Sequence, residues 1–140
     1  MKARIKWGGG ASFICQSDSG HEVITDGPEE YGGKNLGPRP MELLLLGAGS
    51  CSSFDVVLIL QKSRQQVDDC YVEIEAERAD KEPKVFTKIH MHFVVSGKDL
   101  EEKKVARAIE LSATRYCSAS IMLGKTADIT HDFEIRQGQG

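Results

Sequence analysis

The segment from Met41 to Leu60 constrains the fold more than any other part of the chain. It is rich in Leu, Val and Ile, and Pro38 and Pro40 stand at its entrance. Pro40 suits the first turn of a helix, because its fixed φ is helical and a backbone N–H there would have no partner. The run predicts a helix from about Met41 to Gln65, apolar round most of its circumference as far as Leu60 and polar from Gln61 to Arg64. A helix that is apolar all round has to be buried on all sides. In a chain of 140 residues one small sheet cannot cover every face, so the remaining face is expected to pack on a second subunit. Gly47, Ala48, Gly49 and Ser50 would let another backbone come close. The segment is also about long enough to span a bilayer. It carries Glu42, Asp55 and several serines, however, and a charge near a helix centre costs roughly 2.5–3.5 kcal/mol on insertion. A buried helix is therefore expected, not a membrane span.

The length suits one domain, residues 1–140. A net charge of −3 leaves no basic excess for phosphates, and aromatic residues at 6% leave few stacking platforms, so nucleic acid is not an expected partner. Cys15, Cys51, Cys70 and Cys117 are too sparse for a disulfide scaffold, and no two form a C-x-x-C pair. Met1 to Trp7 is charged at Lys2, Arg4 and Lys6 and lacks the apolar run of a secretory signal. The expected location is cytoplasmic.

Residues 2–7 alternate charged and apolar, and Ser12–Gln16 and Glu22–Thr25 follow as short strands with turn-rich residues between them. A loop rich in Gly and Pro runs from Asp26 to Pro40. After the helix, residues 70–78 and 85–95 alternate and predict a hairpin, with Cys70, Val72, Ile74 and Ala76 on one side of its first strand. Asp99 and Glu102 have the spacing of a capping box. They precede a helix with Leu100, Val105, Ala108, Ile109 and Ser112 on one stripe, expected to end near Tyr116 or Cys117. Ser118 is placed to cap a short helix from Ala119 to Leu123, stopped by Gly124, and Ile129 to Ile135 alternate as a last strand. The order β-β-β-α-β-β-α-α-β is α+β.

Two cysteines have positions that suit chemistry. Cys51 sits among small and hydroxyl residues in the middle of the long helix, where a buried cysteine can also be a plain packing residue. Cys117 sits at the junction before the short helix, whose unpaired N–H groups would favour its thiolate. Cys15 and Cys70 read as strand positions. His90 and His92 share one face of a strand, and an H-x-H pair could bind zinc or copper, but the sequence offers no clear further ligand beyond His131 or His21. A solvent-facing strand side is the plainer reading.

The run Pro40-Met41-Glu42-Leu43-Leu44 leading to Gly49-Ser50-Cys51-Ser52, with Tyr116-Cys117-Ser118 far downstream, resembles the OsmC/Ohr family of osmotically inducible and organic hydroperoxide resistance proteins. Pro-Met-Glu-Leu before Cys51 and Asp55-Val56-Val57 after it resemble the YhfA-like branch. The element order fits as well. The resemblance implies an intertwined homodimer with long central helices packed between sheets. It implies a thiol peroxidase for organic hydroperoxides that needs no cofactor and no metal. Cys51 would be the peroxidatic thiolate and Cys117 the resolving thiol, recycled by a dithiol reductant such as a lipoylated protein.

The family also implies an arginine and a glutamate beside the thiolate, for which Arg39 and Glu42 are the candidates. The family's glutamate position falls on Met41, one place before Glu42, and residues 8–38 contain no arginine. On a regular helix the nine residues from Glu42 to Cys51 span about 13.5 Å and about half a turn of net rotation. Glu42 is thus expected to face away from Cys51 of its own chain and to reach a thiolate through a bend or from the partner. An alternative on the same fold is a dimeric binding or redox-sensing protein for an apolar small molecule, without peroxidase activity.

Overall fold

The computed structural model describes residues 1–138. The chain divides into two compact units, Met1–Leu46 and Gly47–Gly140, and the division falls inside the long helix α1 (Pro40–Lys62).

In the first unit β1 (Ala3–Trp7), β2 (Phe13–Ser17) and β3 (Glu22–Thr25) form an antiparallel sheet in that order, as the alternating pattern predicts. The Gly-Gly turn after β1 uses positive φ at Gly9 and Gly10, 93° and 54°, which only glycine adopts freely. Ile5, Trp7, Val23 and Ile24 of this sheet are exposed. The loop that follows is organised by Asp26, which is 2% exposed. Its carboxylate accepts N–H groups from Gly27 at 2.8 Å, Lys34 at 3.0 Å and Leu36 at 3.1 Å. The Lys34 and Leu36 bonds above all hold its carboxyl below the ordinary carboxylate range, against the opposing effect of burial. A side chain on Gly37 would overlap the Ile24 carbonyl, so the loop can lie against β3 only with glycine there.

The second unit contains the rest of α1 and a sheet of order β4-β5-β6, made of β4 (Gln66–Arg78), β5 (Phe86–Lys98) and β6 (Asp128–Gln137). β4 and β5 form the expected antiparallel hairpin, while β6 pairs parallel to β5. The parallel pairing requires a crossover, supplied by α2 (Glu102–Leu111), one π-helical turn (Ser112–Tyr116) and α3 (Ser118–Leu123). β5 is the central strand, so it buries more than its alternating face: Val94 is buried along with Ile89, Met91, Phe93 and Val95.

On α1, Ala48, Ser52, Val56 and Leu60 form one buried stripe at intervals of four, and Gly49 brings the helix onto β4. A Cβ on Gly49 would meet Ile74 Cδ1 at 3.0 Å and Val72 Cγ1 at 3.3 Å. Away from this stripe α1 exposes large apolar side chains: Phe54 is 67% exposed and Leu44 47%. Among the described residues α1 is the one helix long and apolar enough to cross a membrane by length and composition.

Several sequence expectations need correction. α1 stops at Lys62 instead of Gln65, because Arg64 turns to a φ of 60° and β4 begins already at Gln66. The capping box does not form. Glu101 is the N-cap of α2, with no side-chain cap bond, and Asp99 has a φ of 53° that takes it out of capping geometry. α2 ends at Leu111, and its continuation to Tyr116 is π-helical. Cys117, not Ser118, is the N-cap of α3. Gly124 does follow α3, but with φ −63° and ψ −11° instead of a left-handed conformation.

Candidate functional site

The site is built where α1 meets the π turn. Cys51 and Asp55 are four residues apart on α1, which places both on one helix face. The π turn closes with the Cys117 N–H on the Ser112 carbonyl at 2.8 Å, and the wider turn sets Cys117 at the start of α3. A sulfur from each cysteine and one carboxylate oxygen of Asp55 all lie within 4.8 Å of one another. Cys117 is buried, while Cys51 and Asp55 are half-buried.

Hydroxyl groups hold this cluster. Ser112 Oγ donates to Asp55 Oδ2 at 3.0 Å and lies 3.0 Å from Ser52 Oγ. The single Ser112 proton goes to Asp55, so the Ser52 hydroxyl donates to Ser112. Cys117 Sγ lies 3.1 Å from Ser120 Oγ, accepts the Ser120 N–H at 3.4 Å and approaches the Ala48 carbonyl at 3.8 Å. The expected help from the helix end is therefore present as the Ser120 bonds. Burial outweighs it, and with the neighbouring Cys51 it pushes the Cys117 thiol above its ordinary value. Ser120 also lines a cavity of about 400 Å³ with Ala113, Ile121, Ala127, Ile129 and His131.

The structure thus brings Cys51 and Cys117 together. It brings Arg39 and Glu42 together as well, in a local role: Glu42 Oε1 accepts the Arg39 backbone N–H at 2.7 Å, and Arg39 Nη1 lies 3.4 Å from both Asn35 Oδ1 and the Gly37 carbonyl. These two residues belong to the first compact unit and the cysteines to the second. Sequence reasoning missed Asp55, Ser112 and Ser120 as site residues. The spacing of four from Cys51 could have pointed to Asp55. Ser112 stands out in the sequence only as a hydroxyl on the apolar stripe of the second helix, and no signal marks Ser120; both arrive through the crossover.

His90 and His92 do share the outer face of β5, but neither His131 nor His21 joins them. Their partners come from β6: Asp132 Oδ1 lies 2.9 Å from His90 Nε2 and 2.7 Å from His92 Nδ1, and Glu134 Oε1 lies 3.1 Å from His92 Nε2. His131 points to the other face, stacks on Phe93 at 6.2 Å and is held below the ordinary histidine range by burial. The plainer reading of the pair, a solvent-facing strand side, is the one observed.

Residues 32–132 match the family described as OsmC-like protein. The chain belongs to the OsmC-like family. This OsmC-like chain is 49% identical over 135 residues to Protein YhfA of Escherichia coli strain K12, covering 96% of this chain and 98% of that protein. A crystal structure of a protein from Aquifex aeolicus VF5 superposes with a TM-score of 0.87 at 30% identity, covering 99% of this chain and 97% of the other. An organic hydroperoxide resistance protein OsmC from Legionella pneumophila has the same fold, with a TM-score of 0.69 at 19% identity over 95% of each chain.

Proposed function

We propose that this protein is a thiol peroxidase for organic hydroperoxides, with Cys51 as the attacking thiolate and Cys117 as the resolving thiol. The observation that carries the reading is the approach of a half-buried and a buried thiol to within 4.8 Å in an OsmC-like fold. Cys51 Sγ attacks the terminal oxygen of the hydroperoxide and the O–O bond breaks. The alkoxide leaves and is protonated to the alcohol, and Cys51 becomes a sulfenic acid. Cys117 then attacks the Cys51 sulfur, water leaves, and a disulfide forms. A dithiol reductant returns both thiols. The name of the Legionella relative supports an organic hydroperoxide as substrate.

The protein works in this reading as a homodimer in the cytoplasm. The uncovered apolar faces of α1, with Phe54 67% exposed, support a second copy as their cover. Arg39 and Glu42 are the proposed activating pair, reaching a thiolate in the dimer.

Cumene hydroperoxide consumption with a dithiol donor tests the reading. Cys51→Ser should abolish consumption, and Cys117→Ser should leave a sulfenic acid trapped by dimedone. A wild-type protein that consumes no hydroperoxide with any dithiol would reject it. The second reading, a redox-sensing or binding protein on the same fold, is favoured by the charged side chain that lies within 4.8 Å of both sulfurs, which is the Asp55 carboxylate and not a cation. A Cys51 alkylation midpoint at the free thiol value of about 8.5 would support it.

A further inference from the structure

We propose that Cys51, Asp55 and Cys117 of the reduced protein bind one thiophilic divalent metal ion, with Zn²⁺ as the fitting ion. The proposal rests on the geometry of the reduced pair and does not depend on peroxidase turnover.

Three candidate ligand atoms, two sulfurs and a carboxylate oxygen, lie within 4.8 Å of one another. Around tetrahedral zinc, with Zn–S of about 2.3 Å and Zn–O of about 2.0–2.2 Å, such atoms stand about 3.5–3.8 Å apart. A contraction of no more than about 1.3 Å would therefore close the site, which side-chain torsions can supply. Two thiolates select zinc-like ions over Mg²⁺ and Ca²⁺, and a carboxylate is an ordinary third zinc ligand.

The electrostatics point the same way. Deprotonated, the three groups carry three negative charges, and among the described residues Asp55 makes no salt bridge. A divalent cation offsets that repulsion, and the two thiol protons it displaces pass to solvent. The surrounding hydroxyls orient the ligands as outer-shell groups do in metal sites. Ser112 fixes one Asp55 oxygen at 3.0 Å, and Ser120 fixes Cys117 through its N–H at 3.4 Å. Three protein ligands leave a fourth position for water, and the half-buried Cys51 and Asp55 provide the way in. The His90 and His92 pair is a weaker candidate, because its ring nitrogens are already engaged by Thr130, Asp132 and Glu134. An ion on Cys51 would compete with hydroperoxide for the same sulfur.

The test uses the full-length reduced protein, stripped with a chelator and titrated with Cd²⁺, whose sulfur-to-metal charge transfer absorbs in the ultraviolet. The expected result is one equivalent bound per chain. The band should vanish in Cys51→Ser and in Cys117→Ser, and persist when Cys15 and Cys70 are both changed to serine. Asp55→Asn should weaken Co²⁺ binding at least tenfold. Bound Cd²⁺ should also protect Cys51 and Cys117 of the wild type from alkylation, a readout that needs no variant to fold. Absence of the band, its persistence in Cys51→Ser, unchanged affinity in Asp55→Asn, or absence of protection overturns the proposal. Cys117→Ser separates it from the peroxidase reading, since that variant should lose the metal yet still form the trapped sulfenic acid.

Discussion

The sulfurs of Cys51 and Cys117 lie within 4.8 Å of each other, although 66 positions separate the two residues in the chain. A disulfide requires them to close from that separation to about 2.05 Å. One equivalent of an organic hydroperoxide should therefore remove two thiols per chain and link these two residues. Peptide mass mapping checks it: Cys51 and Cys117 should appear linked, with Cys15 and Cys70 still open to alkylation. A link to Cys15 or Cys70 would contradict the assignment.

Ser112 is 0% exposed and joins the crossover to α1 through Asp55 and Ser52. Ser112→Ala removes the donor to Asp55 and the acceptor for Ser52. Leaving such groups unsatisfied costs about 1–3 kcal/mol. Urea unfolding should show that loss with an unchanged denaturant slope.

Burial, followed by the neighbouring Cys51, places the Cys117 thiol above its ordinary value. Its alkylation, followed by mass spectrometry against pH, should have a midpoint above that of an unfolded-chain thiol. Linkage gives the sign for stability: the contribution of the protonated Cys117 is complete below the unfolded thiol value and is lost as pH rises through the folded one. A Cys117 that alkylates fully at neutral pH would rule out this environment.

His92 is held above the ordinary histidine value, first by its bond to Asp132 and then by Glu134, both of which are held low in return. Glu73 lies across from it on β4, and Arg136 bonds Glu134 at 3.3 Å. The charged His92 stabilises the sheet fully below the unfolded histidine value, and this is lost as pH rises through the folded one. The carboxylate contributions are lost as pH falls through their depressed values. The β5–β6 pairing should thus be tightest in the mildly acidic window between them. Nuclear magnetic resonance titration of the His92 ring should show the raised midpoint, and Asp132→Asn should lower it.

Phe54 at 67% exposure marks the uncovered side of α1. Burying a phenylalanine contributes about 1.5–3 kcal/mol, so Phe54→Asp should weaken a dimer at least about tenfold. Light scattering should give the mass of two chains for the wild type and a shift toward one for the variant. A monomeric wild type would remove the second copy from the proposal.

Much of the fold is legible in the sequence. The alternation of β1 to β3, the hairpin of β4 and β5, the stripe of Val105, Ala108 and Ile109, and the interest of Cys51 and Cys117 all follow from local patterns. The errors cluster at element ends. Asp99 and Ser118 carry good capping side chains, but the backbone at Asp99 turns left-handed and the π turn hands the cap to Cys117. Propensity at a helix end is worth only about 1 kcal/mol, and tertiary packing overrides it.

The sequence by itself determined that one apolar helix carries Cys51 and that a second cysteine waits at a helix junction, because hydrophobic period and Gly-Pro punctuation are local signals. Only the tertiary structure decided that the two sulfurs meet, and that Asp55, Ser112 and Ser120 join them. The parallel pairing of β6 with β5 forces the crossover that carries Ser112, Cys117 and Ser120 back to α1. A contact across that many residues depends on strand order, which no local pattern encodes.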